Sequence, residues 1–203
     1  MPSPTPPVDL FRALADAMRR TGASWYVFGA QAVLIWGRPR LTADIDVTVK
    51  LYPEDSGRLV RTMGASGFTL RGVATAEFVE QTRVLPFVHT SSQWPVDVVL
   101  AGPGLEERFL RDARLVDVGD DVRVPVIRAE DLIVTKILAG RPKDLDDVRG
   151  VLLEQLDRMD EASIRDTLAM LEEALGVSDL LPVLGVELTR ARRLRSTRGR
   201  RQP

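Results

Sequence analysis

Apolar positions along the chain fall into patterns of two different periods. Leu10, Phe11, Leu14 and Met18 recur at three- and four-residue spacing, which predicts a helix from about Val8 to Arg20. From Trp25 the period shortens. Trp25-Tyr26-Val27-Phe28 reads as a short buried strand, and Gly29 as a sharp turn into a helix over roughly Ala30 to Trp36. Asp44-Ile45-Asp46-Val47-Thr48-Val49 alternates as a half-buried strand does, and Trp94-Pro95-Val96-Asp97-Val98-Val99-Leu100 is a second strand-like run. Helices are expected at Pro53–Gly64 and Gly104–Asp112, and His89 falls with Phe87 and Val88 on a strand. From Ala129 onward the helical period returns, through Leu145-Val148-Leu152, Ile164-Leu168-Leu171 and Leu184-Leu188. The expected fold class is α/β (α+β), a small mixed β-sheet core with flanking helices followed by a helical C-terminal part. We divide the chain into a disordered N-terminal segment (1–7), the sheet-containing core (8–127), the helical part (128–189) and a basic tail (190–203).

The alternation places chemistry as well as structure. Side chains two apart on a strand share one face, so Asp44 and Asp46 point the same way while Ile45, Val47 and Val49 point into a core. Two carboxylates held side by side repel each other unless a cation lies between them, and hard divalent ions such as Mg²⁺ take oxygen ligands together with substrate phosphates. Asp97 stands in the middle of an apolar strand, where a carboxylate needs a partner or a metal. Three aspartates on neighbouring strands suit two Mg²⁺ ions. The Gly29 turn adds a helix N-terminus, whose unpaired N–H groups suit a phosphate. Taken singly, each feature also has a plain structural meaning: an ordinary turn, or a solvated strand face.

The helix expected from Ala129 has acids in its first turn and closes at Gly140. Its apolar residues Leu132, Ile133, Val134, Ile137 and Leu138 cover most of its circumference, leaving Lys136 to emerge from an otherwise apolar helix. That lysine either reaches a phosphate or snorkels to solvent. Asp144 and Asp147, three apart on one face of the next helix, either orient a partner or form a solvated face.

Composition narrows the alternatives. The chain of 203 residues has no cysteine and a single histidine, His89, which excludes thiol catalysis, disulfides and a multi-histidine metal site. No apolar run approaches the length of a membrane span, and the proline-rich start has no apolar signal core, so a soluble cytoplasmic protein is expected. Residues 190–203 hold seven arginines and no acid, whereas the rest of the chain has 21 basic against 29 acidic residues. Such an arm suits RNA phosphates or is simply a solvated terminus.

The ordered set of a glycine turn and helix, an Asp-x-Asp strand and a third strand aspartate resembles the nucleotidyltransferase superfamily (the polymerase-beta-like fold). The run Arg40-Leu41-Thr42-Ala43-Asp44-Ile45-Asp46, with Lys136 and then Arg141-Pro142-Lys143-Asp144-Leu145-Asp146-Asp147, is similar to the AbiEii-type group of bacterial nucleotidyltransferases. The likeness covers about Trp25 to Leu153. It implies Mg²⁺-dependent transfer of a nucleoside monophosphate from an NTP to an acceptor hydroxyl, with release of pyrophosphate. By resemblance, Asp44, Asp46 and Asp97 are metal ligands and, with Lys136, the catalytic set. Gly29, Ala30, Arg40, Thr42, Lys136, Asp144 and Asp147 bind the nucleotide. The implied partners are an NTP, tRNA as one acceptor, and a cognate antitoxin of a toxin–antitoxin or phage-defence system. Many members carry Ser where this chain has Ala30, so that phosphate contact falls to backbone N–H groups. The Lys136-to-Asp144 spacing is also compact for the group. Other readings are a non-catalytic nucleotide- or RNA-binding module, and nucleotidylation of an antibiotic or a protein. A metal-dependent nuclease would use three aspartates without needing the Gly29 turn and Lys136.

Overall fold

The computed structural model describes residues 6–42, 44–72 and 76–199. The chain forms two compact units, one of Met1–Gln31 with Leu41–Ile127, the other of Ala32–Arg40 with Arg128–Pro203. The first holds a mixed sheet of strands β1 (Trp25–Phe28), β2 (Ile45–Val49), β3 (Phe68–Leu70), β4 (Val84–His89), β5 (Pro95–Leu100), β6 (Arg114–Asp117) and β7 (Arg123–Val126). Among the described residues their order is β3-β4-β5-β2-β1-β7-β6. β2 runs parallel to β5 and β1 parallel to β7, while the other neighbours are antiparallel.

Alternation decides which face of this sheet is core. Ile45, Val47 and Val49 on β2 and Val96, Val98 and Leu100 on β5 are fully buried, and these pairs lie in register. Each such side chain contributes about 1.5–3 kcal/mol on leaving water. Asp46 and Asp97, on the opposite face, keep part of their surface open. Helices α1 (Val8–Thr21), α3 (Ser56–Gly64), α4 (Ala76–Thr82) and α5 (Leu105–Asp112) belong to the same unit. α1 buries the stripe Leu10, Phe11, Leu14, Ala17 and Met18, as its spacing predicts. Phe109 of α5 packs edge-on against Tyr26 at 6.5 Å between ring centres. Helix α2 (Gly29–Trp36) starts in the first unit and ends in the second.

The second unit is helical: α6 (Ala129–Ala139), α7 (Pro142–Gln155), α8 (Glu161–Leu175) and α9 (Leu180–Gly199). α6 is buried around most of its girth and ends at Gly140, whose φ of 64° is the left-handed cap that glycine adopts freely. Residues 32–40 join this unit rather than the sheet unit. Of the segment read as disordered, residues 1–5 lie outside the described residues. Pro6 is buried, and the Pro7 carbonyl accepts the Leu10 N–H at 3.0 Å. The stretch read as a tail continues α9 as helix to Gly199. β3, α4, β6 and β7 have no individual counterpart in the sequence reading, and β3, at three residues, is too short for alternation to register. His89 ends β4, buried against Phe68 with Ser92 Oγ at 2.7 Å from Nδ1, and burial lowers its pKa.

Ile45 fills the core where β2 and β5 pair, so Ile45→Ala costs about 3 kcal/mol, read as the fall in unfolding free energy by urea titration.

Candidate active site

Register assembles the carboxylate face of the first unit. Phe28 pairs with Asp46 across the antiparallel β1–β2 ladder, and Asp46 pairs with Asp97 across the parallel β2–β5 ladder. Gly29 follows Phe28, so the Asp46 side chain lies against the start of α2. A Cβ on Gly29 would stand 1.9 Å from Asp46 Oδ2, and the residue has φ +61°. No L-residue fits there without displacing the carboxylate. Asp44 lies one residue before β2 and is fixed twice: Thr42 Oγ1 donates to its Oδ1 at 2.8 Å, and Gln31 Nε2 donates to its carbonyl at 3.3 Å. Ala43 lies outside the described residues. Ala30 is buried in the first turn of α2.

Asp97 differs from its sequence expectation. β5 alternates, and Asp97 falls on its more open face, with 31% of its side chain exposed. It is ion-paired with Arg71, a residue that no sequence motif singles out. Arg71 follows β3, and its backbone N–H donates to the Pro86 carbonyl at 2.8 Å. Pro86 is the register partner of Asp97, so the guanidinium crosses one strand to reach the carboxylate. Only the sheet order reveals this neighbour.

Carboxylate oxygens on one sheet face are the donor type a hard divalent cation requires. Asp46 and Asp97, adjacent in register, meet that requirement in chemistry and facing. Among the described residues, however, no group of three or more His, Cys, Asp or Glu side chains stands as a ready metal cage. Arg71 supplies the positive charge beside Asp97.

The second unit holds the other residues singled out in the sequence, joined by ion pairs. Lys136 Nζ donates to Asp144 Oδ1 and to Asp147 Oδ2, each at 2.8 Å. Arg40 grips Asp147 with both ends of its fork, Nε to Oδ1 at 2.7 Å and an Nη to Oδ2 at 3.0 Å. Arg141 donates from Nε to Asp144 Oδ2. Both carboxylates are buried, and Lys136 is nearly so. Burial works to raise the pKa of Asp144, but the hydrogen bonds and charges of Arg141 and Lys136 outweigh it and hold the carboxyl below its ordinary value. The run Arg40 to Asp46 thus divides: Arg40 serves this network, whereas Thr42, Asp44 and Asp46 belong to the sheet unit. A cavity of about 320 Å³ lined by Lys50, Tyr52, Arg83 and Glu107 lies past the C-terminal ends of β2 and β5, beyond the Asp46–Asp97 register.

Gly29→Ala therefore pushes the Asp46 carboxylate aside and strains the left-handed turn, which costs more than about 1 kcal/mol in a urea titration while circular dichroism retains the native spectrum. Lys136→Ala strips a shared partner from two buried carboxylates and costs roughly 3 kcal/mol in a denaturant titration. The depressed Asp144 pKa stabilises the fold above the unfolded carboxyl value and loses that effect as pH falls through the folded one. Asp144→Asn accordingly flattens the fall of stability as pH drops below the ordinary carboxylate value of about 4, followed by urea unfolding at each pH.

Residues 9–174 match the family described as nucleotidyltransferase of unknown function (DUF6036). No curated protein matches the chain in sequence. Solved structures share the fold, among them the following three. The crystal structure of ANT(2″)-Ia in complex with adenylyl-2″-tobramycin has 14% identity, covering 83% of this chain and 98% of that one, with a TM-score of 0.55. The solution structure of the antibiotic-resistance factor ANT(2″)-Ia has 16% identity over 83% and 96%, with a TM-score of 0.51. An antigenic nucleotidyltransferase-like protein from Paracoccidioides brasiliensis has 13% identity over 89% and 90%, with a TM-score of 0.54. Among the described residues no helix is long and apolar enough to cross a membrane. With its glycine turn, its aspartates in register and a family match over most of its length, the chain belongs to the nucleotidyltransferases of this family.

Proposed function

We propose that the protein transfers a nucleoside monophosphate from an NTP to an acceptor hydroxyl in a Mg²⁺-dependent reaction. The observation that carries this is the register pairing of Asp46 with Asp97 beside a glycine turn that only a residue without Cβ can occupy. The acceptor oxygen attacks the α-phosphorus, the bond from that phosphorus to the oxygen bridging to the β-phosphate breaks, and pyrophosphate leaves with the electron pair. The hydroxyl proton passes to water. Asp44, Asp46 and Asp97 are the residues that would hold Mg²⁺, two ions by family resemblance. Bound there, the metal supplies charge neutralisation for the triphosphate and polarisation of the attacking oxygen. Gly29 lets backbone and phosphate approach, and the amides of the first turn of α2 take the place of the hydroxyl that Ala30 lacks. In the second unit, Asp144 and Asp147 use two of the three ammonium donors of Lys136. The remaining donor is what that network offers a phosphate, and Arg40, its fork on Asp147, holds the network in place for it.

The AbiEii-type likeness of Arg40 to Asp46 supports an RNA end, tRNA in particular, as acceptor. The setting it supports is the toxin of a toxin–antitoxin or phage-defence pair, with a cognate antitoxin as partner. A second reading rests on the fold shared with ANT(2″)-Ia, whose complex contains adenylyl-2″-tobramycin: the acceptor is then a hydroxyl of an antibiotic. Incubation with each labelled NTP, Mg²⁺, total tRNA and tobramycin separates them. Label on RNA supports the first acceptor, label on tobramycin the second, and absence of pyrophosphate release in every mixture sinks both. Asp46→Asn should reduce release more than about a hundredfold while the variant melts as a cooperative folded protein. Turnover near that of the parent would remove Asp46 from the site.

A further inference from the structure

We propose that Arg71 is a nucleotide-phosphate ligand held in reserve on Asp97, and that it makes divalent-cation binding conditional on nucleotide. This rests on the metal-site reading of Asp97 given above. Arg71 is pinned by its backbone at the end of β3, yet 40% of its side chain is exposed. Its guanidinium lies on the Asp97 carboxylate, whose strand neighbour in register is Asp46. The guanidinium therefore sits at the edge of the carboxylate face where a cation would be held.

Two consequences follow from charge alone. Asp97 Oδ2 remains beside the oxygen bound by Arg71, but a dication on this carboxylate would stand within a few ångströms of a guanidinium, and like charges that close repel. Arg71 thus disfavours the bare metal. A triphosphate reverses the sign, because its oxygens attract the dication and the guanidinium together, and the guanidinium fork matches phosphate geometry. The ion pair with Asp97 is half-exposed and hence weak, so exchanging a carboxylate for a phosphate costs little. In the resting protein the same pair neutralises the third carboxylate, keeping the face from accumulating unpaired negative charge. Arg71 therefore couples the two ligands: each helps the other to bind, by the same factor in either order.

The test is a coupling measurement on the full chain. Mn²⁺ binding is followed by electron paramagnetic resonance, first alone and then with a non-hydrolysable NTP analogue. Arg71→Ala should tighten Mn²⁺ alone by about two- to fivefold, weaken the analogue in the presence of Mn²⁺ by at least as much, and leave melting behaviour close to that of the parent. Arg71→Lys, which keeps the charge but loses the fork, should fall between the two. Asp97→Asn is the control. Loss of Mn²⁺ binding in Asp97→Asn with unchanged binding in Arg71→Ala keeps the metal site but overturns the role of Arg71. Unchanged binding in Asp97→Asn overturns the metal-site reading and this inference with it. Opposite shifts in the two Arg71→Ala affinities support the inference, since a purely structural arginine would move neither.

Discussion

The placement of the carboxylate face depends on one steric constraint, the space at residue 29 that a Cβ would take from Asp46. The Asp46 carboxylate occupies that space because β1 and β2 pair Phe28 with Asp46. The same residue pairs with Asp97 on its other side. Neither pairing is chosen by the aspartates. Ile45 and Val47, fully buried on the other face, hold β2 in register, and a slip of one residue would drive Asp46 into that apolar layer. Burial on one face of the sheet thus determines the spacing of charge on the other.

The second unit follows a different logic. Three cations and two carboxylates alternate there, with Lys136 shared between Asp144 and Asp147 and the arginines closing each end. Buried ion pairs of this kind add little net stability, because desolvation offsets their attraction, but removing one member is costly. Their contribution is to fix geometry. Arg40 lies far in the chain from Lys136, Asp144 and Asp147, and each of the four is held by at least one charge-assisted hydrogen bond to another of the set. A lysine that looked able to snorkel is instead nearly buried, with its ammonium committed to two acids.

Where a residue's setting is local, the sequence shows it. The Asp44-to-Val49 alternation, the Gly29 turn and the α6 start and stop signals all lie within a few residues of what they control, and the observed elements follow them. Asp97 was legible as a residue but not in its setting. An apolar composition suggested burial, whereas the alternation of β5 turns the carboxylate to the open face. Arg71 was illegible, since its meaning depends on β3, β4 and β5 being neighbours and on Pro86 standing between two charges. The division of the Arg40-to-Asp46 run was hidden for the same reason: Asp147, which receives Arg40, lies over a hundred positions away.

The arginines at the end of the chain show why a count of like charges is a poor guide to a partner. α9 buries Leu180, Leu184, Leu188 and Ala191, and also Glu187, which is 2% exposed and accepts hydrogen bonds from both Arg149 and Arg190. Farther along, Arg192 meets Glu161 and Arg195 meets Asp157. The acidic excess of the rest of the chain is thus answered in part by this basic segment within its own unit. Exposed pairs of this kind contribute between nothing and about 1 kcal/mol each and weaken as salt screens them. An arginine so placed can trade its carboxylate for a phosphate at small cost, but the carboxylate it leaves then repels the newcomer. Affinity for a polyanion follows from the difference between these two effects and not from the number of arginines alone.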